Sequence, residues 1–401
     1  MYEYEDFIGK HITKRHESMF LKDVRDNEDK LRERIYDKSI LVIGGTGSIG
    51  SAFIESVLHY EPRELYVVDI NENGLAELTR WLRSEGIKIP KIYCPYPMDY
   101  SSSVFRKMFV SHGGFDIVAN FSAHKHVRSE KDVYSIEAML TNNVINAYEL
   151  LLLMKEYKPE AFFCVSSDKA ANPVNIMGAS KRIMENMIFS FSEYYDIKTA
   201  RFANVAFSQG SLLDGFVKRI NAKQPLSAPS DVKRYFVSQR EAGQICMLSA
   251  ITVGNREILF PKLSDTQMMR FDEIATLFLK DQGYTPYECK SEAEAIEGAS
   301  KLRNGSKEYP VYFSKSDTSG EKMYEEFYLN TDNLDMDRYK SLGVITDVKL
   351  TDYNEFISFL DGLKRALNSE NVTKENIVDV ISDYLPEFKH IETGKSLDAK
   401  M

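Results

Sequence analysis

An aspartate and a lysine stand side by side in the sequence SSDK, at the end of the apolar run AFFCVSS that covers residues 161–167. A carboxyl group and an amino group together can supply both partners of a proton transfer, an acid and a base. As neighbours, Asp168 and Lys169 favour each other's charged form, whereas burial beside a cation would make the lysine a better base. The pair therefore predicts general acid–base chemistry at the end of a strand.

A second lysine, Lys181, lies in the segment NPVNIMGASK, within a helix predicted from about residue 177 to residue 195. A lysine in this position behind a strand ending in serine is familiar from nicotinamide enzymes, in which a tyrosine stands four residues earlier. Here Met177 occupies that place, and its thioether can neither give nor take a proton. At this point the chain either keeps its acid and base elsewhere or has lost its chemistry.

A glycine-rich turn, LVIGGTGSIGSAF, follows the first predicted strand and opens a predicted helix from Ser48 to Tyr60. In this context glycines allow a tight turn, close approach to a pyrophosphate and close helix–strand packing, and the helix N-terminus supplies amide hydrogens. We therefore predict dinucleotide binding by the residues of this turn, which are Gly44, Gly45, Thr46, Gly47, Ser48, Ile49 and Gly50.

Asp69 ends the second predicted strand, ELYVVD, 19 residues after Gly50. A carboxylate at this place accepts hydrogen bonds from the adenosine ribose hydroxyls and repels a 2′-phosphate. The following residues, INENG, bring no arginine or lysine to pair with such a phosphate, so NAD is favoured over NADP. Asp99, after the presumed third strand, is predicted to meet the adenine edge, with a surface turn as the alternative.

The bulk composition restricts the class of protein. A chain of 401 residues with a net charge of −9 is large enough for a sizeable core, and its charge argues against nucleic acid as the main partner. Its four cysteines are far apart and lack a Cys-x-x-Cys motif, which predicts reduced thiols without structural zinc. We expect no membrane segment and a cytoplasmic location, because no apolar run approaches about 18 residues and the N-terminus is charged from its third residue.

Short apolar runs alternate with helical patterns, which predicts an α/β fold with a doubly wound parallel sheet of the Rossmann type. The predicted strands cover residues 39–45, 64–69, 116–123, 161–167 and 198–204, and a long helix is predicted from Tyr134 to Tyr157. We predict a helical arm at 1–36, a Rossmann domain at 37–210, an interleaved smaller α/β lobe at 211–330 and a C-terminal helical extension at 331–401. Two amphipathic helices in this extension indicate core packing or a homo-oligomer.

Five longer motifs occur in order: GGTGSIGS, NFSAHKHVRSEKD, SSDKAANPVNIMGASK, RFANVAFSQGSLL and KRYFV. Together they resemble the extended short-chain dehydrogenase/reductase family, in its branch of UDP-N-acetylglucosamine 4,6-dehydratases. The segment SGEKMYEEF at 319–327 resembles the Gly-Glu-Lys segment of that branch. The resemblance covers about residues 38–330. Some dehydratases of the family have methionine where others have tyrosine, and Met177 fits the former group.

The resemblance implies a closed redox cycle with NAD. Hydride leaves C4 of the sugar and returns to C6, while a base removes the C5 hydrogen and an acid protonates the C6 hydroxyl so that water leaves. We assign Lys169 as the C5 base, Asp168 as the acid and Ser167 as a hydrogen-bond partner of O4. Lys181 would hold the nicotinamide ribose. The group that takes the O4 proton stays open between Asp168 and a water bridged by Ser167.

The resemblance also implies further contacts with cofactor and nucleotide sugar. It assigns Ser122 and Ala123 to the cofactor and Lys125 to the substrate. Positions that resemble contacts to the nucleotide and its diphosphate are Asn204, Ser211, Lys218 and Arg234. No metal is predicted, because His124 and His126 have no further ligand at suitable spacing. A 4-epimerase and a non-catalytic NAD sensor stay open as alternatives, and the carrier nucleotide (UDP or GDP) and the configuration at C5 are not determined.

Overall fold

The computed structural model describes residues 4–316 and 326–392. Most of the Gly-Glu-Lys segment that the sequence singles out therefore lies outside the described residues. The described strands are β1 Ser39–Ile43, β2 Glu64–Asp69, β3 Ile92–Pro97, β4 Ile117–Asn120, β5 Ala161–Val165, β6 Ile197–Ala200, β7 Asn204–Val205, β8 Leu226–Pro229, β9 Lys233–Arg234, β10 Phe236–Val237, β11 Glu257–Pro261, β12 Met269–Arg270, β13 Thr285–Glu288, β14 Glu308–Ser314, β15 Asn333–Asp335 and β16 Leu342–Thr346.

The helices complete the alternation. They are α1 Glu5–Phe7, α2 Leu21–Asp26, α3 Glu28–Ile35, α4 Ser48–Leu58, α5 Glu72–Ser84, α6 Ser103–His112, α7 Val133–Leu140, α8 Ala147–Glu156, α9 Ile176–Phe189, α10 Leu212–Asn221, α11 Gln239–Thr252, α12 Phe271–Asp281, α13 Glu292–Ser300, α14 Tyr353–Leu367 and α15 Lys374–Tyr384. Short 3-10 turns cover Val127–Glu130, Asp168–Ala170 and Asp265–Gln267, and π-helical turns cover Ile8–Ile12 and Thr141–Asn146.

The main sheet of the described chain has nine strands in the order β15-β16-β11-β6-β5-β4-β1-β2-β3. Strands β3 to β11 in this order pair in parallel, and the central β1 and β5 are buried along their whole length. Helices cover both faces, as apolar strands without polar alternation require. The predicted doubly wound α/β class is confirmed.

One end of the sheet differs from the sequence prediction. Strands β15 and β16 run antiparallel at one end, although residues 331–401 were expected to be helical. The apolar run LGVIT pairs with β11, which places Ile345 opposite Ile258 and covers a strand edge that would otherwise be open. Helices in this extension begin only at Tyr353.

The long helix expected from Tyr134 to Tyr157 is interrupted in the middle. Residues Thr141–Asn146 form a π-helical turn between α7 and α8. A π-helical turn inserts an extra residue per turn and shifts the side chains around the axis, and such turns are frequent at functional sites. Here it brings a pair of asparagines toward the carboxyl edge of the sheet.

A smaller lobe packs above this edge, with a second apolar core of its own. It contains the parallel three-stranded sheet β13-β14-β8 and the helices α10 and α12. The N-terminal arm contributes to the same core, because Phe7 stacks edge-on against Phe207 and Phe278 at centroid distances of 5.9 and 5.4 Å. Arg15 fixes the arm further through a bidentate ion pair with Glu241 at the start of α11.

The amphipathic helices α14 and α15 pack on the main core of their own chain. Their apolar side chains Phe356, Leu363, Ile377 and Ile381 are buried. The tyrosine hydroxyls of Tyr148 on α8 and Tyr353 on α14 lie 3.0 Å apart. The faces that suggested a homo-oligomer are therefore used within the chain, and oligomerisation stays a prediction without that support.

All four cysteines are free thiols. None of the helices in the described ranges combines the length and apolar character needed to span a bilayer.

Candidate active site

The glycines of the glycine-rich turn lack side chains for different reasons. Some leave no room for a Cβ, and one leaves its backbone open to a ligand. A Cβ on Gly45 would lie 2.4 Å from Val67 Cγ1, and a Cβ on Gly50 would lie 2.4 Å from the Gly44 carbonyl oxygen. Gly44 has a φ of +74°, which side chains rarely tolerate. A Cβ on Gly47, by contrast, would make only an ordinary 3.5 Å contact. Gly47 therefore has no packing reason to lack a side chain, and the open backbone fits the close approach of a diphosphate.

Asp69 lies at the end of β2, directly opposite this turn. One of its carboxylate oxygens accepts hydrogen bonds from the Thr46 amide at 3.0 Å and the Thr46 hydroxyl at 2.7 Å. The other accepts from the Asn71 amide at 3.0 Å. The carboxylate is thus fixed by backbone donors, and its remaining lone pairs are available to ribose hydroxyls.

A cavity of about 720 Å³ opens beside the turn. Its volume lies in the range of small-molecule and cofactor sites. Of the predicted cofactor residues, the cavity is lined by Gly44, Thr46, Gly47, Asp69, Asp99, Ser122 and Ala123. Tyr134 and Ile70, both 78% exposed, also line it and offer flat apolar surface to a base. Gly45, Ile49, Gly50 and Lys181 are not among the lining residues, and Ser48 lines a smaller cavity of about 240 Å³.

The π-helical turn supplies residues that the sequence analysis missed. Asn143 accepts from the His124 amide and donates to the His124 carbonyl, both at 2.9 Å, and also donates to the Ser180 hydroxyl at 3.0 Å. It thereby ties the segment after β4 to helix α9. Asn142 accepts from the Ser122 hydroxyl at 3.3 Å and lines the cavity. The sequence signal was the cluster of four polar residues, Thr141, Asn142, Asn143 and Asn146, in the middle of the predicted helix.

The acid–base pair lies in the 3-10 turn that follows β5. Lys169 Nζ is 3.2 Å from both carboxylate oxygens of Asp168. The Asp168 side chain is 5% exposed and that of Lys169 is 28% exposed, so the lysine reaches solvent whereas the aspartate is buried. Ser167 caps the turn by accepting from the Lys169 amide at 3.2 Å. Three of the four residues that the sequence predicts to be catalytic are thus held in one short turn, and the fourth, Lys181, lies on α9.

Helix α9 packs tightly against this turn. Met177 is 2% exposed, so its thioether fills core space. Lys181, one turn further along, is 5% exposed and donates from Nζ to the Val165 carbonyl at the end of β5, at 2.9 Å. Burial lowers the pKa of Lys181 below its ordinary value, although Cys164 and Glu185 act in the opposite direction. The lysine therefore lies directly below the turn that carries Asp168.

A buried ion pair supports the same strand ends. Arg201, 1% exposed, forms a bidentate pair with Glu185 of α9 at 2.9 and 2.6 Å. Burial alone would raise the pKa of Glu185, but the charge and hydrogen bonds of Arg201 outweigh it and hold the pKa below its ordinary value. Glu185 also accepts from the Ser166 hydroxyl at 2.6 Å, next to the catalytic turn. Arg201 also donates from Nη1 to the Phe327 carbonyl at 2.9 Å, and Phe327 belongs to the main core.

The predicted substrate residues lie on several different elements of the fold. Lys125 is exposed on the irregular segment after β4. Asn204 lies on the two-stranded sheet of β7 and β10, and Arg234 is 7% exposed on β9. Ser211 caps α10, and Lys218 on the same helix pairs with Asp214 at 2.7 Å while 70% exposed. Whether these residues bind a nucleotide sugar stays a prediction.

The comparison with known families settles the chain's membership. A family profile described as "Polysaccharide biosynthesis protein" matches residues 40–346. The chain belongs to this family. The match includes every motif on which the resemblance was based. It also covers the predicted range of about residues 38–330 apart from its first two residues. The resemblance that the motifs predict is thus confirmed at the level of the family.

Curated members and relatives differ in how much is known of them. An uncharacterized membrane protein of Methanocaldococcus jannaschii is 34% identical over 62% of this chain and 74% of its own length. The probable polysaccharide biosynthesis protein EpsC of Bacillus subtilis is 26% identical over 77% of this chain, which spans about half (50%) of that relative. A UDP-N-acetylglucosamine 4,6-dehydratase (inverting) of Campylobacter jejuni is 24% identical over 56% of this chain and 67% of its own length.

Solved structures show the same fold. Pen from Bacillus thuringiensis superposes with a TM-score of 0.63 at 19% identity, covering 84% of this chain and 99% of the other. A dTDP-glucose 4,6-dehydratase, the DesIV double mutant from Streptomyces venezuelae with NAD bound, has a TM-score of 0.51 at 17% identity, covering 68% and 87%. At this identity the similarity concerns the fold alone.

Proposed function

We propose that this polysaccharide biosynthesis family member is an NAD-dependent nucleotide-sugar 4,6-dehydratase acting on UDP-N-acetylglucosamine. The observation that carries the proposal is the Asp168–Lys169 pair, held in one turn at the carboxyl end of β5 with Nζ 3.2 Å from the carboxylate. A dehydration needs an acid and a base on neighbouring sugar atoms, C6 and C5, and the pair supplies both. The similarity to the Campylobacter jejuni enzyme supports the same substrate.

NAD suits the cavity beside the glycine-rich turn. Gly47 leaves the backbone open, and Asp69, fixed by the Thr46 donors, is placed for the adenosine ribose and against a 2′-phosphate. When bound, NAD supplies the oxidation at C4 and the reduction at C6, so the protein needs no second redox partner. Lys181 would add positive potential beside the nicotinamide ribose from its buried position below the turn.

The proton chemistry falls to the turn itself. An aspartate and lysine in contact share one transferable proton, and moving it along the 3.2 Å hydrogen bond converts carboxylate and ammonium into carboxylic acid and amine. That is the form in which Lys169 can remove the C5 hydrogen and Asp168 can protonate the departing C6 oxygen. Ser167 would hold O4, and the proton that O4 loses on oxidation would pass to a water bridged by Ser167, or to Asp168 while that carboxylate is still ionised. Met177 takes no part, because it is buried and carries no proton.

Mass spectrometry of UDP-N-acetylglucosamine after incubation with the protein tests this proposal. We expect loss of one water from the sugar without added NAD, and no loss with the Lys169→Met variant. An unchanged mass with a new C4 epimer would instead establish a 4-epimerase. Unchanged sugar with NAD retained in the protein would indicate a sensor without catalysis.

A panel of UDP-, GDP- and dTDP-linked sugars determines the carrier nucleotide. We expect the UDP sugar with a 2-acetamido group to react fastest. If only another sugar of the panel lost water, the protein would be a 4,6-dehydratase, but UDP-N-acetylglucosamine would not be its substrate.

A further inference from the structure

Glu130 is a buried carboxylate that none of the proposed steps uses. It ends the 3-10 turn Val127–Glu130, which follows the irregular segment 121–126 that carries Lys125 and that we call the substrate segment. The Glu130 side chain is only 4% exposed. A buried carboxylate normally has several hydrogen-bond donors around it. Those of Glu130 come from two parts of the chain that are far apart in sequence.

The first donor is the start of helix α9. Glu130 Oε1 accepts from the Met177 amide at 3.0 Å. This amide lies in the first helical turn, where amides have no partner within the helix. The side chain of Asn175 accepts from the next amide, that of Gly178, at 2.7 Å. A carboxylate and an amide oxygen together therefore satisfy the first turn of α9, and the negative charge suits the positive end of the helix.

The second donor comes from the chain after α15, residues 385–392, which we call the tail. Glu130 Oε2 lies 3.2 Å from Nε2 of His390, whose side chain is 9% exposed. Within the tail, the Ile391 amide donates to the Val174 carbonyl at 3.0 Å, and Lys374 at the start of α15 adds a hydrogen bond from Nζ to the Glu130 carbonyl at 3.3 Å. The tail thus closes over Glu130 and over the residues that lead into α9.

The start of α9 in turn determines where the catalytic turn lies. Gly178 packs so closely that a Cβ on it would lie 2.7 Å from the Lys169 carbonyl oxygen. A shift of the first turn of α9 is therefore transmitted to Lys169 and Asp168 by direct contact. Catalytic groups lose much of their effect when displaced by about 1 Å.

We infer that Glu130 is a positioning residue for the Asp168–Lys169 turn, and that the tail holds it in place through His390. Glu130 fixes the start of α9, and α9 fixes the turn. The substrate segment is held independently at its other end by Asn143, so substrate binding depends less on Glu130. The kinetic part of this inference rests on the proposed dehydratase function, and the structural part does not.

Three variants of the full chain test the inference. Glu130→Ala removes the acceptor, Glu130→Gln keeps an acceptor for the Met177 amide, and His390→Leu removes the hydrogen bond between the tail and the Glu130 carboxylate while the Ile391 amide keeps its own. Asp379→Ala, at an exposed position of α15, is the matched control. We expect Glu130→Ala to lower kcat roughly 10- to 100-fold with KM changed less than about threefold, and Glu130→Gln to restore most of the loss. His390→Leu should fall between them.

Hydrogen exchange of the same proteins, without substrate, separates this inference from the proposed function. We expect the peptide containing residues 176–178 to exchange at least about tenfold faster in Glu130→Ala and faster in His390→Leu, with the control unchanged. Unchanged exchange in both variants would overturn the inference whatever the activity is. So would a lowered melting temperature of Glu130→Ala with native kcat, because Glu130 would then only stabilise the fold.

Discussion

Gly178 in the first turn of α9 packs against the backbone of Lys169, in the turn that carries the proposed acid–base pair. A Cβ built on Gly178 would lie 2.7 Å from the Lys169 carbonyl oxygen and 3.1 Å from the Asn175 side-chain oxygen. A Cβ this close to a backbone oxygen would force either the helix or the Lys169 turn to move. Moving the helix would break its cap at Asn175, so the turn would be displaced. The helix that carries Lys181 and the turn that carries the proposed base therefore form one rigid unit.

Gly178→Ala should lower activity without unfolding the protein. Alanine favours a helix interior over glycine by about 1 kcal/mol, so helix propensity alone would stabilise the variant. We expect the displaced turn to lower kcat on the order of 10-fold or more, because catalytic groups tolerate little misplacement. Gly362→Ala in α14 is the control, since its Cβ would meet only Arg365 Nη2 at 3.9 Å. Native kcat in Gly178→Ala would contradict the coupling.

Lys169→Met and Asp168→Asn should stop the proposed cycle at different points. Without the amine, the C5 hydrogen cannot leave, so no solvent deuterium should enter C5. Without the acid, C5 exchange should outrun water loss, unless Asp168 also takes the O4 proton, in which case oxidation at C4 fails as well. Each blocked proton transfer should lower the rate on the order of 10²–10⁴-fold. The measurement is mass analysis of sugar recovered from heavy water, and native C5 exchange in Lys169→Met would reverse the assignment.

Met177 and Lys181 should differ sharply in their effect on turnover. Met177→Leu conserves volume at a 2% exposed site and should cost less than about 1.5 kcal/mol of stability, with activity largely kept. Lys181→Met keeps the length of the side chain but removes the ammonium that donates to the Val165 carbonyl. We expect it to lose most of its activity. Steady-state rates beside thermal melting decide, and equal losses in two folded variants would refute the proposed role of Lys181.

The sequence identified the local parts of the site because their chemistry is encoded in short stretches. The strand ending at Asp69 matches its predicted bounds, and Ser167, Asp168 and Lys169 share one turn after β5. Interactions between distant segments were not predictable. Glu130 and His390 are separated by 260 residues, and the π-helical turn that directs Asn143 leaves no spacing pattern in one sequence. The strands β15 and β16 were missed because they form only through long-range pairing, β16 with β11 and β15 with β16.

The cofactor preference should depend on Asp69. We expect the native protein to copurify with NAD and to turn over without added cofactor. Asp69→Ser should lower NAD affinity roughly tenfold or more, because the acceptor for the ribose hydroxyls is lost. It should also narrow the preference for NAD over NADP, because the carboxylate that repels a 2′-phosphate is removed. Glu72→Ala, an exposed carboxylate three residues later, is the control. Isothermal titration of both cofactors measures this, and NADP preference in the native protein, or stoichiometric consumption of NAD, would exclude the proposal.

The buried pair of Glu185 and Arg201 should make stability depend on acid pH. The pKa of Glu185 is lower in the folded chain than its ordinary 4.5, so its stabilisation is complete above pH 4.5 and is lost as the pH falls through the folded value. Glu185→Gln leaves Arg201 charged and buried, which should cost about 3–5 kcal/mol of unfolding free energy at pH 7. The unfolding free energy of Glu185→Gln should also fall less steeply below pH 4.5 than that of the native protein. Glu185→Leu combined with Arg201→Met should be less damaging than Glu185→Gln, since no unpaired charge stays buried. Urea unfolding at pH 7 and at pH 4 tests both statements, and a double variant weaker than the single one would contradict them.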